Sequence, residues 1–282
     1  MKTTFKTMLN DAFNGGYAVP SISVSNLETI YGALEAAKAM KSPIILQVAP
    51  IQMENQQIDP MEFKNLVQVL HNRFQDVSYL VHLDHADTLD DCEKAIDAGF
   101  DSVMFDGSSL SLKKNIESTK AVRAYDRHVG LEAELGALNP EEGFSVATSI
   151  ENAHFTDPDE AKAMLDSVDI DALAISFGNA HGFYQGEPKL DFELLKTIRE
   201  TIHLPLVLHG GSGIGKDDIQ RAVTLGISKI NFFTQCDLAY RQAFHDSTKD
   251  GQYMMVGEKA AKEAFKACVE TCIDLCLSGG KS

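Results

Sequence analysis

Eight short apolar runs, each followed by a stretch with helical periodicity, constrain this chain of 282 residues more than any other feature. The runs span residues 17–24, 43–49, 78–85, 102–106, 129–135, 172–177, 204–209 and 229–233. Most are continuous in Val, Ile, Leu and Phe, the pattern of strands buried on both faces. Between them, residues 27–40, 62–74, 90–98, 113–125, 160–166, 192–202 and 216–225 have the apolar spacing of amphipathic helices. Residues 238–245 and 258–277 continue that spacing after the last run. Asn26 and Thr88 are suited to cap their helices, and Gly99 and Gly226 stand where helices must stop. Strict alternation requires parallel strands joined by right-handed crossovers. Eight such units predict an α/β fold of the (β/α)8 barrel type, a single domain over residues 1–282 with 258–277 as an extra C-terminal helix. A doubly wound open sheet is the weaker alternative, because no GxGxxG follows the first run.

Composition narrows the function by exclusion. A formal net charge of −16 argues against nucleic acid or an acidic membrane surface as partner, since both attract basic faces. No apolar stretch reaches the length of a secretory signal core or a membrane span. The five cysteines form no CxxC pair, which predicts a reduced, cytoplasmic protein. Cys268, Cys272 and Cys276 recur every four residues, and we read them as a buried or interface stripe rather than a metal or redox site.

Chemistry concentrates at the ends of the runs. His85 closes the third run in His82-Leu83-Asp84-His85, and His209 closes the seventh in Leu206-Val207-Leu208-His209-Gly210-Gly211. His181 follows the sixth in Gly178-Asn179-Ala180-His181-Gly182. Three imidazoles at strand ends can make an open metal site, with one position left for water or substrate. In a barrel of this type the active site lies at the C-terminal strand ends, where Asp106 and Glu134 also fall. Asp84 is placed for proton transfer beside His85, and His82, two residues earlier, shares its side of the strand. We give His82 a supporting or structural role. The long connection 136–157 has the length of a lid or binding loop, and its Glu141-Glu142 pair by itself reads as a solvated face.

These residues carry a family resemblance. The chain resembles the class II, metal-dependent fructose-bisphosphate/tagatose-bisphosphate aldolases across nearly its whole length. The matching segments include Gly16-Tyr17-Ala18-Val19-Pro20, His82-Leu83-Asp84-His85, Phe100-Asp101-Ser102-Val103-Met104-Phe105-Asp106-Gly107-Ser108, Glu132-Ala133-Glu134-Leu135-Gly136, Ala180-His181-Gly182, His209-Gly210-Gly211-Ser212-Gly213 and Lys229-Ile230-Asn231. The resemblance implies that His85, His181 and His209 bind one catalytic Zn2+, or another divalent ion, and that Asp106 and Glu134 hold a second or displaced ion. It implies that Asp84 acts on the C4 hydroxyl of a ketose, and that Glu142 moves the proton at C3. Cleavage of the C3–C4 bond then leaves a carbanion next to the C2 carbonyl, stabilised by the metal as an enediolate. Gly182, Gly210, Gly211, Ser212, Asn231 and Thr234 match substrate-binding positions. The resemblance also implies a homodimer or homotetramer with a small sugar as its partner.

The departures from the family gather at the ketone-side phosphate. Ser23 stands where an asparagine is usual, Ala49 where a hydroxyl is common, Gln185 where a lysine is frequent, and a bulky Phe233 where the phosphate normally lies. Together they remove a cation, a hydroxyl and space from one pocket. Each lost charge-assisted contact costs about 1.5–3 kcal/mol. We therefore expect a non-standard ketose, lacking a 1-phosphate and releasing dihydroxyacetone, with phosphate, sulfonate or carboxylate at the other end. Fructose or tagatose bisphosphate is the alternative substrate, and a metal hydrolase or a non-catalytic barrel subunit remain readings of other classes.

Overall fold

Eight parallel strands, in chain order, close into a barrel in the computed structural model, which describes residues 3–136, 154–182, 184 and 188–282. They are β1 (Val19–Ser23), β2 (Ile44–Val48), β3 (Tyr79–Ala86), β4 (Ser102–Phe105), β5 (Gly130–Leu135), β6 (Ala172–Ile175), β7 (Leu206–Leu208) and β8 (Ile227–Phe232). The ring closes where β1 pairs with β8, Val19 opposite Lys229 and Ser21 opposite Asn231. Apart from Tyr79 and His85 in β3, every strand residue is buried, which is why the strands read as apolar runs.

The helices are α1 (Phe5–Gly15), α2 (Leu27–Met40), α3 (Pro50–Gln56), α4 (Pro60–Leu70), α5 (Leu89–Asp97), α6 (Leu112–Tyr125), α7 (Pro158–Ser167), α8 (Phe192–Thr201), α9 (Lys216–Thr224), α10 (Thr234–Thr248) and α11 (Met254–Leu275). The expected caps form. Asn26 Oδ1 accepts from Thr29 N at 2.9 Å while Thr29 Oγ1 accepts from Asn26 N at 3.1 Å, and Thr88 Oγ1 accepts from Asp91 N at 3.1 Å. The extra terminal helix is α11, packed along α2 and α10. No helix among the described residues is long and apolar enough to cross a membrane.

Two helices were not expected, α1 and α3. Phe5, Met8, Leu9 and Ala12 of α1 are buried and join Val19, Ile45, Leu80, Ala172, Ala174 and Val207 in one apolar cluster. Helix α1 thus plugs the N-terminal end of the barrel, and the Phe5 ring stacks on His82 with centroids 5.5 Å apart and planes 4° from parallel. Its sequence signal is the i, i+3, i+4, i+7 spacing behind the Thr4 cap. Helix α3 starts at Pro50, directly after β2, and Gln52 Oε1 accepts from Ala49 N at 3.0 Å.

One local irregularity sets up the site. On a regular strand Asp84 and His85 would point to opposite faces. Opposite β4, however, the register moves from Leu83↔Val103 to Ala86↔Phe105, so β3 carries an extra residue, and His85 takes a φ of 47°. This bulge turns His85 toward the same mouth as Asp84. A side-chain-bearing residue in that left-handed region costs about 1–2 kcal/mol.

Candidate metal centre and active site

The barrel interior is polar toward its C-terminal end. Strand β3 contributes His82 and Asp84, β5 contributes Glu132 and Glu134, β8 contributes Lys229 and Asn231, β2 contributes Gln47 and β1 contributes Ser21 and Ser23, all of them buried. They bond across the barrel. Lys229 Nζ lies 2.9 Å from Glu132 Oε2 and 3.1 Å from Oε1, and His209 Nε2 lies 2.9 Å from Glu132 Oε1.

Asp84 is held from two sides. Asn231 Nδ2 donates to Oδ1 at 3.0 Å and Gln47 Nε2 donates to Oδ2 at 2.7 Å. Gln47 also donates to Ser23 Oγ at 3.0 Å and accepts from Ser21 Oγ, so the first strand braces the acid through β2. His82 donates to or accepts from Ser102 Oγ at 2.8 Å, and its Nε2 stands 3.9 Å from Asp84 Oδ1 and 3.8 Å from Glu132 Oε2. Burial, reinforced by Lys229, holds His82 well below the ordinary histidine value, so its ring is neutral.

The three histidines converge. The His85 ring centroid is 4.9 Å from that of His181 and 4.5 Å from that of His209, and one nitrogen from each of the three lies within 4.8 Å of the others. The outer nitrogens of two rings are engaged: His85 Nδ1 with Asp106 Oδ2 at 2.9 Å, and His209 Nε2 with Glu132. A carboxylate accepts only, so each of these nitrogens carries the hydrogen. The inner pair, His85 Nε2 and His209 Nδ1, approach to 2.7 Å, so that their lone pairs converge toward one point. A cation held by both nitrogens needs that convergence, and the carboxylate–histidine pairing is the one that orients metal ligands. Burial, with His85 beside it, holds His209 well below the ordinary histidine value, and a neutral imidazole is the form that can offer a metal a lone pair. The donor set therefore fits a borderline-soft divalent ion.

Asp106 and Glu134 form a second group with His85, on the Nδ1 side of its ring. Burial by itself would raise the Asp106 carboxyl, but hydrogen bonds from His85 and Ser108 outweigh it and hold the group well below the usual carboxylate range.

Around this centre the loops are tied together. Asn179 Nδ2 donates to His209 O at 3.1 Å, and the Tyr184 hydroxyl donates to Gly210 O at 3.0 Å while accepting from Ala180 N at 2.9 Å. Burial pushes the Tyr184 hydroxyl up to about 12, so it stays a donor. Gly210 has a φ of +68°, and a Cβ there would overlap Ala180 O. Gly182 has a φ of +83°. The amide of Gly211 already donates to Asn231 O at 3.0 Å. Ser212 is buried and accepts from Gln235 N at 3.3 Å, Thr234 begins α10, and Phe233 sits 42% exposed on the rim after β8. Glu142 and Gln185 lie outside the described residues.

Gln47, Glu132 and Lys229 had no role in the sequence reading. Their signal was a polar residue at an inward position of an otherwise apolar strand, where burial demands a partner.

A family model for class II fructose-bisphosphate aldolase matches residues 3–281. The chain belongs to the class II fructose-bisphosphate aldolase family. It is therefore an aldolase, a carbon–carbon lyase, of a family that is generally zinc-dependent. Among its relatives, a sulfofructosephosphate aldolase from Alkalicoccus urumqiensis is 40% identical over 247 residues, 87% of this chain and 85% of that protein. The structure of the YdjI aldolase from Escherichia coli K12 superposes with a TM-score of 0.87 at 31% identity, covering 100% of this chain and 99% of that one. A putative fructose-1,6-biphosphate aldolase from Coccidioides immitis gives a TM-score of 0.87 at 28% identity, covering 97% and 96%.

Proposed function

We propose that this aldolase cleaves the C3–C4 bond of a ketose other than fructose or tagatose 1,6-bisphosphate, one that carries a sulfonate at its far end. The observation that carries the reaction is Asp84, braced by Gln47 and Asn231 beside His85, His181 and His209. The histidines would hold one Zn2+ or similar ion, with Asp106 and Glu134 as a second seat. When bound, such an ion supplies a Lewis acid for the negative charge that develops on the ketone side. Asp84 takes the proton of the C4 hydroxyl as the carbon–carbon bond breaks and the aldehyde leaves. Asn231 and Gln47 fix the carboxylate, so that little reorganisation is needed at that step. Asn231 Oδ1 is buried with no hydrogen-bond partner among the described residues, and is left to accept from a substrate hydroxyl. Glu142, from the long connection, delivers the proton at C3.

One observation supports an unphosphorylated C1 end: the Gly211 amide already donates to Asn231 O, so it is not an unoccupied donor for a phosphate. Ala49, Gln185 and Phe233 further lower what that end can offer an anion. A second reading keeps a phosphate at C1, seated on Ser212 and Thr234, because the 40% identical relative is named for a substrate with both groups. A panel of four ketoses, with C1 free or phosphorylated and C6 phosphorylated or sulfonated, separates the readings by kcat/KM. Cleavage of the C1-free sulfonate with release of dihydroxyacetone is the expected result. A strict need for C1 phosphate favours the second reading, and a preference for the bisphosphate overturns the substrate proposal. The family's oligomeric habit fits the exposed run Tyr253, Met254, Met255 and Val256 as a surface for a second copy, which sedimentation would read.

A further inference from the structure

Away from the histidines, cysteines from two helices meet. Cys268 and Cys272 lie one turn apart on α11, and Cys236 faces them from the first turn of α10. The Cys236 sulfur is 3.3 Å from that of Cys268 and 3.9 Å from that of Cys272, and all three lie within 4.8 Å of one another. Cys236 and Cys272 are fully buried, whereas Cys268 is half-buried and opens the group to solvent on one side. Gln235 Nε2 donates to the Cys272 sulfur at 3.0 Å, a donor placed for a sulfur that carries negative charge. Two cysteines of the stripe expected on α11 thus meet a third from another helix, while Cys276 stays outside the group.

We propose that Cys236, Cys268 and Cys272 form a second metal site, separate from the histidine centre, for a soft d10 divalent cation such as Zn2+ or Cd2+. Thiolates hold zinc at about 2.3 Å, which sets sulfurs on a tetrahedron's edge roughly 3.8 Å apart. The observed spacings of 3.3 and 3.9 Å lie around that length, so small side-chain shifts suffice. Binding releases three thiol protons to solvent and leaves three thiolates around a divalent ion, one net negative charge. The Gln235 N–H faces that charge, and the open side at Cys268 gives the fourth position to water. A disulfide would use two sulfurs and leave the third thiol idle against it; a cation uses all three together with Gln235. The ion would tie the first turn of α10 to α11. That turn also carries Thr234 and the Gln235–Ser212 hydrogen bond at the barrel mouth.

The test titrates the zinc-loaded holoenzyme, freed of excess metal, with Cd2+ and follows the ultraviolet thiolate-to-cadmium charge-transfer band. Imidazoles give no such band, so the readout is independent of the histidine centre. The expected band saturates at one ion per chain, is lost in Cys268→Ala and Cys272→Ser, and persists in His181→Ala. Far-ultraviolet circular dichroism checks that each variant folds. Cd2+ is also expected to raise the melting temperature of the parent protein but not of Cys268→Ala, whose half-buried side chain makes it the milder change. The absence of a band under excess Cd2+, or an unchanged band in Cys268→Ala, overturns the proposal. So does a Cys236–Cys268 disulfide as the main form in protein purified without reductant.

Discussion

Lys229 Nζ lies 2.9 Å from Glu132 Oε2 at the centre of the barrel, and neither side chain has any exposed surface. The pair joins β8 to β5 and, through Glu132 Oε1, reaches His209 at 2.9 Å. A buried ion pair contributes little net stability, but removing one partner strands the other charge at a cost of about 3–5 kcal/mol. Lys229→Met is therefore expected to lower unfolding stability by about that amount, read by urea denaturation. Glu132→Gln leaves His209 in place but takes the charge from its outer nitrogen. Metal affinity should fall roughly 10- to 100-fold, measured by competition with a chromogenic chelator. Unchanged affinity in a folded Glu132→Gln protein would show that the carboxylate does not orient the histidine.

Gln47 is the second prediction. Its amide donates to Asp84 Oδ2 at 2.7 Å, and the bond is charge-assisted. Gln47→Leu keeps the volume and removes the donor. A loss of about 1.5–3 kcal/mol in orienting the acid corresponds to a kcat lower by roughly ten- to a hundredfold. Metal content should be unaltered, since the hydrogen bonds of Gln47 go to Ser21, Ser23 and Asp84. A kcat within twofold of the parent would remove Gln47 from the catalytic arrangement.

The third concerns Gly210. Its φ of +68° and its contact with Ala180 O leave no room for a side chain. Gly210→Ala must push the Ala180–His181 backbone away. Both the melting temperature and the bound-metal stoichiometry are expected to drop, the second because His181 moves with that segment. If only stability fell, the glycine would serve folding alone.

Phe5 supplies the fourth. It is 1% exposed, stacks on His82 and seals the N-terminal end of the barrel. Phe5→Ala should cost about 3–5 kcal/mol through the cavity left behind. His82 then loses its stacking partner while Asp84 keeps both of its donors. Stability should fall far more than kcat; an equal fall in both would make the plug part of the catalytic support.

Cysteine reactivity supplies the last. Burial pushes the Cys92 thiol up to about 12, and Cys276 likewise lies well above the ordinary thiol value. Hydrogen bonds from Cys236 and Cys272 draw Cys268 down instead. The thiolate is the nucleophile, so near neutral pH a limiting alkylating reagent should label Cys268 first and leave Cys92 and Cys276 intact. Mass spectrometry of peptides decides the order, and early labelling of Cys92 would contradict it.

The sequence by itself determined the barrel. Strands buried on both faces must be continuously apolar, and helices covering them must be periodic, so the alternation could be read residue by residue, as could the caps at Asn26 and Thr88. It also determined the family, because short motifs in the right order carry the chemistry of a metal aldolase. Helix α1 escaped although its apolar face is periodic, because that face is short and what it covers, strand ends scattered along the chain, is set by tertiary contacts. What only the tertiary structure decided is how the inward polar residues pair. The bulge at His85 depends on the register between β3 and β4, and it alone turns adjacent residues toward one mouth. Lys229 finds Glu132 only after the ring closes, because β8 and β5 face each other across it, whereas Gln47 finds Asp84 through the register of β2 on β3 and Cys236 finds Cys268 where α10 packs on α11. Burial requires each polar group to have a partner, but only the closed fold says which one.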